Sequence, residues 1–494
     1  MTARQTQGAN KQPQRRAAVR HHVLLPAVAG QTFTLHRLPD LESAADDRSS
    51  KQAPGLRSAT LPNSIGARNR GSFMAPSKDT DGSETNIPAP AIAMGLGQAS
   101  KKASTSPKDA HPSGKRGHGR AMQILRGLAF TIYFLTCCVT IVITQVLGCW
   151  LYFVNRDIYY DYMSMTKRLF AITTILMTQI WGPTTIRISG DESVAGEILP
   201  TEGNGVQFNF PERIVMIANH QIYTDWLYLW WVGYVNRPSA HGHIYIILKE
   251  SLQYIPLVGW GMKFYGFIFM SRKMAKDQPR LAYRLGKLKQ TKTDPSGKTY
   301  RVPMWLLLFP EGTNISGNGR RKSASWANKN GWKDPEHMLL PRSTGSFFCL
   351  NELRGTVDYV YDCTVAYEGI DRGKYGEDIF TLGSTYFQGR PPKSVNFFWR
   401  KFKMSDIPLD NADEFDLWLR NEWYKKDALM EQYLTTGRFP AMAGSKVDFV
   451  ETKVRAKNPF EILQVFTIVG IAGLFWHNVQ RFGGVVAKRF GFSA

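Results

Sequence analysis

The feature that most constrains this 494-residue chain is a run of 29 residues, between Arg126 and Arg156, that carries no charge. Its apolar centre, Leu128 to Val154, exceeds the roughly 20 residues a helix needs to cross ~30 Å of hydrocarbon. A soluble core helix of that length with no polar face would be unusual, so the run reads as a membrane segment. Two further uncharged runs follow. Leu169 to Ile186, interrupted by Gly182-Pro183, could span, return as the second arm of a hairpin, or lie buried against the rest of the chain; a membrane-embedded arm is the favoured expectation. Ile462 to Val479 is near the length threshold, and Gly470, Gly473 and His477 leave spanning and re-entrant readings open. Lys115, Arg116, Arg120 and Arg126 precede the first segment, so the positive-inside tendency places the N-terminal tail in the cytoplasm. A hairpin would return the chain to the same side.

Residues 1–120 are rich in Ser, Gly, Pro, Gln and Ala, with few aromatics and no apolar periodicity, and read as disordered. They hold 18 Lys/Arg against 8 Asp/Glu, which is +10 of the total +22. So basic a chain suits nucleic acid or an anionic membrane surface, the latter attracting each Lys/Arg by roughly 1 kcal/mol. No helix-turn-helix, zinc-finger spacing or RNA-binding aromatic motif occurs, so the expectation is a lipid bilayer and no nucleic acid. Of five cysteines, Cys137, Cys138 and Cys149 share one apolar segment while Cys349 and Cys363 stand alone. Without a CxxC, neither a disulfide framework nor metal or redox chemistry is expected. Nothing at the N-terminus has the pattern of a secretory signal.

From 187 to 440 the pattern alternates. Strands are expected over Arg213 to Ala218, His243 to Leu248, Phe267 to Met270, Met304 to Phe309 and Val357 to Tyr367. Helices are expected over Trp226 to Val235, Lys276 to Gln290 and Thr344 to Leu353, with an amphipathic helix at 411–434. This predicts an α/β fold, a mixed sheet covered by helices, with its strand order not legible. The expected plan is a basic tail (1–120), N-terminal membrane helices arranged like a hairpin (121–186), the α/β domain (187–440), and a C-terminal membrane segment with a basic tail (441–494).

Two motifs carry chemistry. Asn219-His220-Gln221-Ile222-Tyr223-Thr224-Asp225 sets an imidazole and a carboxylate five positions apart, just beyond the strand at 213–218. Histidine accepts and returns a proton near neutral pH, and an aspartate fixes its tautomer. The plainer alternative is a capping aspartate beside a core histidine. Phe309-Pro310-Glu311-Gly312-Thr313 follows the strand at 304. Proline ends the ladder, glycine lets backbone N–H groups approach an anion, and Thr313 adds a hydroxyl. Glu311 suits an anion site only as partner to a basic side chain; otherwise the segment is an ordinary turn. Arg272 after one strand, Lys249 closing another, and Arg342 before the helix at 344 form a candidate phosphate cluster, although each alone is more often a solvated charge. No G-x-S-x-G, P-loop or Rossmann glycine pattern occurs. That favours direct attack by a substrate hydroxyl. The sequon Asn314-Ile315-Ser316 is discounted for its place in the candidate site.

These blocks resemble the glycerolipid acyltransferase family, whose type member is 1-acylglycerol-3-phosphate acyltransferase, over roughly 120–370. Asn219, His220 and Asp225 match N-H-x4-D; Gly266, Phe269 and Arg272 match G-x-x-F-x-x-R; Phe309 to Thr313 match F-P-E-G-T; and Leu340 to Gly345 match the proline block. Leu339-Leu340-Pro341-Arg342 and Tyr361-Asp362-Cys363-Thr364 are similar to the lysocardiolipin/lysophosphatidylinositol branch. The resemblance implies the family's acyltransferase fold and acyl-CoA-dependent acylation of a lysophospholipid hydroxyl, without metal or bound cofactor. It assigns His220 as general base and Asp225 as its holder. Asn219, Lys249, Gly266, Arg272, Glu311, Gly312, Thr313 and Arg342 fall to substrate binding, with Glu311 and Gly312 shaping the acceptor pocket and Arg272 holding the acceptor's phosphate. Membership further implies the endoplasmic reticulum, with a mitochondrial membrane as the alternative. A 1-acylglycerol-3-phosphate acceptor is the nearer rival, and a non-catalytic lipid-sensing membrane protein the rival of another class.

Overall fold

The computed structural model describes residues 111–294 and 296–489; the expected disorder of the tail falls almost wholly outside them. The chain enters through helix α1 (Arg120–Leu147) and helix α2 (Arg156–Trp181). Strand β1 (Thr185–Gly190) precedes β2 (Arg213–Ala218) and α3 (Asp225–Val235). Then come β3 (Ile244–Lys249), α4 (Val258–Phe264), β4 (Ile268–Met270), α5 (Met274–Leu288) and β5 (Met304–Leu308). Helices α6 (Gly317–Lys329) and α7 (Ser343–Leu353) lead to β6 (Tyr359–Tyr367) and β7 (Ser394–Lys403). The chain closes with α8 (Ala412–Thr436), β8 (Val450–Lys453) and α9 (Leu463–Arg489).

Eight strands form one mixed sheet in the order β8-β1-β7-β6-β2-β5-β3-β4. The five strands β6, β2, β5, β3 and β4 are mutually parallel, whereas β7 runs against β6 and β8 against β1. Parallel strands deliver their C-terminal ends to a single edge, and loops there can converge on one site. The motifs after Ala218, Lys249, Met270 and Leu308 all leave from that edge.

Alternation of side chains splits the core into two layers. Ile214, Met216 and Ala218 face Leu169, Ile172, Tyr228 and Trp231 of α2 and α3. Val215 and Ile217 face Leu281, Leu350, Leu419 and Trp423 of α5, α7 and α8. Each such buried side chain contributes about 1.5–3 kcal/mol, so the central strands anchor the fold from both sides. The expected α/β fold class is the one found. Two boundaries differ from expectation: β1 begins inside the segment assigned to the membrane, and β8 completes the sheet from beyond residue 440.

The second membrane arm is also corrected. Helix α2 starts at the Asn155 cap, whose side chain accepts from Asp157 N and Ile158 N, and ends at Gly182-Pro183. Residues 169–178 are all buried against protein. Its threonines are compatible with burial because Thr166, Thr173, Thr174 and Thr178 return their hydroxyls to carbonyls of their own helix. Two other helical stretches, Arg120–Val154 and Pro459–Phe482, are long and apolar enough to cross a membrane by length and composition. Helix α1 covers the domain with one face and exposes Leu128, Ile132, Leu135, Ile143 and Val146 on the other. Helix α9 touches α1 and α2, and among its described side chains only Val465 is buried.

Beneath β6 and β7 lies a sealed ionic network. Asp362 pairs with Lys426 and, at 2.6 Å, with Arg400, which also meets Glu422 at 2.7 Å. Asp362→Asn leaves Lys426 without an acidic partner inside the core. Losing one member of such a pair costs about 3–5 kcal/mol, so the variant should melt well below wild type; an unchanged Tm would contradict the role assigned to the network.

Candidate active site

At the C-terminal edge, the loop after β2 folds back on itself around one carboxylate. Asp225 opens α3 with its side chain fully buried, and its Oδ2 accepts from Gln221 N at 2.6 Å and Ile222 N at 3.1 Å. The same oxygen lies 2.8 Å from His220 Nδ1. Tyr367, the last residue of β6, donates its hydroxyl to Oδ1. The carboxylate thereby fixes Nδ1–H as the donor and leaves the lone pair on Nε2. Among the described residues nothing bonds Nε2, and the His220 side chain is 18% exposed. Phe309 stacks on the imidazole at 4.3 Å, which ties the second motif to the first. The expected pairing of His220 with Asp225 is therefore present in the geometry.

Two residues expected to bind substrate instead hold the loops together. Asn219 is wholly buried; its amide donates to Val365 O at 3.0 Å and accepts from Val365 N at 2.7 Å, continuing the ladder between β2 and β6 by one side-chain rung. Glu311 is 2% exposed, with Oε1 accepting from His220 N at 3.1 Å and Oε2 from Leu339 N at 3.3 Å. It braces three loops rather than reaching outward. Burial outweighs those two donors and pushes the Glu311 carboxyl up to about 8. Gly266 has φ +73 at the turn between α4 and β4, a conformation that costs a glycine little. Its part is to bend the chain.

The basic residues do face outward. Arg342 N bonds Pro310 O at 2.8 Å, and a Cβ at Gly312 (φ +74) would lie 3.5 Å from Arg342 Cδ and Nε, so this side chain lies across the glycine. Arg272 has φ +68, strained for a residue with a side chain. Its conformation is held by Asp277, which sequence reasoning missed. Asp277 Oδ1 accepts from Ser271 N and Ser271 Oγ, both at 2.9 Å, and Oδ2 from Lys273 N at 3.1 Å. Burial and the nearby charge of Arg342 lower the Arg272 pKa. Neither arginine has an acidic partner among the described residues. Two like charges left unpaired and close together make a receptor for an anion. Lys249 is exposed at the same edge and Thr313 is half-buried beside Gly312. Asn314, the sequon asparagine, is buried and its amide meets Glu377.

Tyr367 was also missed. Its signal would have been a tyrosine closing a predicted strand, but nothing local connects it to a partner 142 positions earlier.

A family model described as Acyltransferase matches residues 194–368, and one described as Acyltransferase C-terminus matches 385–467. An uncharacterized acyltransferase of Schizosaccharomyces pombe is 36% identical over 71% of this chain and 96% of its own length. The 2-acyl-1-lysophosphatidylinositol acyltransferase of Saccharomyces cerevisiae is 35% identical, covering 66% of this chain and 88% of the relative. Lysocardiolipin acyltransferase 1 of Danio rerio is 32% identical over 51% of this chain and 60% of its own length.

The raised Glu311 pKa has a signed consequence. A carboxyl whose folded value lies above its unfolded value of 4.5 contributes stability that is complete below 4.5 and is lost as pH rises through about 8. Glu311→Gln cannot ionise and lacks this dependence. Melting curves at about pH 5 and about pH 8.5 should show the variant gaining on wild type at the higher pH; parallel curves would refute the assignment.

Proposed function

The chain belongs to the glycerolipid acyltransferase family and is an acyltransferase, and from that premise we propose that it acylates a lysophospholipid at a membrane. The donor is acyl-CoA and the acceptor is of lysophosphatidylinositol or lysocardiolipin type. One observation carries the reading: an imidazole with Nδ1 committed to a buried carboxylate and Nε2 open to the surface, in a site that also holds two arginines without an acidic partner among the described residues.

The chemistry follows from this arrangement. His220 Nε2 takes the proton of the acceptor hydroxyl as its oxygen attacks the thioester carbonyl. A C–O bond forms, the C–S bond breaks, and the leaving thiolate recovers the proton from the imidazolium. Asp225 stabilises that imidazolium during its brief life. Arg272 and Arg342 hold the acceptor's phosphate, fixing the hydroxyl beside the base, and Lys249 is placed to add a third positive charge at the same edge. The two long apolar helices support a membrane location, in which the acyl chains stay in the bilayer while the head group reaches the sheet edge. The acceptor type rests on the named activities of the relatives and on the branch motifs at 339–342 and 361–364.

His220→Ala should cut transfer of labelled acyl groups to lysophosphatidylinositol by about 10² to 10⁴-fold, with membrane insertion intact; near-normal turnover would sink the mechanism. Arg272→Ala and Arg342→Ala should each raise the acceptor KM by about ten-fold, the loss of one charge-assisted bond, with little change in the KM for acyl-CoA. An unchanged acceptor KM in both variants would remove the phosphate role.

A further inference from the structure

We propose that Tyr367 is a positioning residue of this acyl transfer, its phenol orienting the Asp225 carboxylate and tempering the pull of that carboxylate on His220. The proposal rests on the reading of His220 as general base.

The geometry is unusually closed. Three donors, His220 Nδ1, Gln221 N and Ile222 N, converge on Oδ2 of Asp225. Among the described residues the Tyr367 hydroxyl is the only donor to Oδ1. A carboxylate held by one oxygen can still turn about its Cβ–Cγ bond; held by both, it presents Oδ2 to the imidazole in one orientation. The tyrosine ring cannot follow a turning carboxylate. It is buried between Tyr228 of α3 and Phe380, each with its ring centroid 6.2 Å away.

Orientation is half of the effect and charge is the other half. A buried aspartate facing an imidazole favours the imidazolium, and a base already protonated cannot work. A phenol donating to the far oxygen draws off part of that negative charge. Burial and the adjacent Asp225 push the Tyr367 phenol well above its ordinary range, so it stays a donor and does not ionise. Among the described residues, the other titratable groups facing this carboxylate are Cys363 on β6, Tyr228 on α3 and Glu311 beside the His220 backbone, with Tyr386 next to Tyr228 and Tyr367. Burial raises all four, Tyr386 to about 12 and Glu311 to about 8, with Cys363 and Tyr228 also moved upward. Each of these shifts favours the neutral, protonated form of its group.

The test uses the full chain in membranes, with kcat/KM for acyl transfer followed across pH. The acid limb of that profile reports His220 in the free enzyme. Tyr367→Phe should lower kcat by about ten-fold and move the limb to higher pH, because an untempered Asp225 makes His220 more basic. Replacing Tyr367 by a difluorinated tyrosine, a stronger donor of nearly the same size, should move the limb to lower pH. Opposite shifts are what a merely structural tyrosine cannot produce. A limb that stays put in either protein, or shifts the same way in both, overturns the proposal. Should the Phe variant fail to accumulate, the fluorinated protein decides alone. Retention of activity by His220→Ala would strike the underlying base assignment instead, and is therefore distinguishable.

Discussion

A carboxylate closed off from water at Asp225 sets the conditions that the surrounding loops must meet. An ionised group there is tolerable only if hydrogen bonds replace its lost hydration. Four donors do so: two backbone amides of its own loop, one imidazole and one phenol. The amides force the loop after β2 to curl tightly. The phenol requires β6 to end beside β2, which the parallel pairing of those strands supplies. Asn219 then locks the same junction from the other side. His220 is thus carried on a loop whose shape is settled by the needs of its partner.

Much of this was legible in the sequence, and the failures have physical causes. Central strands buried on both faces appear as unbroken apolar runs, as at Met304–Leu308, and these were found. The three strands at the far side of the sheet were not. Ser394–Lys403 mixes Arg and Lys with aromatics, because Arg400 is satisfied by buried acids that no local pattern announces. Helix α6 was missed since its glycines and charges lack apolar periodicity; Ser316 caps it, and Arg420 of α8 sits over Trp326 at 4.6 Å to hold it in place. Spacing was enough to pair His220 with Asp225. It could not say that Asn219 and Glu311 turn inward while Arg272 and Arg342 turn outward, because the direction of a polar side chain is decided by what the fold sets beside it.

The apolar runs teach a related lesson. Length and lack of charge alone do not distinguish a helix immersed in lipid from one buried in protein. Helix α2 has the buried threonines and the charged first turn of a core element, and protein covers residues 169–178. Helix α1 has protein along one side and a continuous apolar stripe along the other, and among the described side chains of α9 only Val465 is buried. Both are tied to the domain through contacts with α2 and with each other. The helical base under the sheet and the exposed apolar surface are therefore mechanically one piece.

At Arg272, backbone ease and an outward positive charge make opposite demands. The backbone there adopts a left-handed turn that favours glycine, so Arg272→Gly would relieve strain while erasing the cation. Selection for heat resistance alone would drift toward that glycine and yield a sturdier protein that lacks the charge. A library screened on both properties would show the two optima parting at this codon.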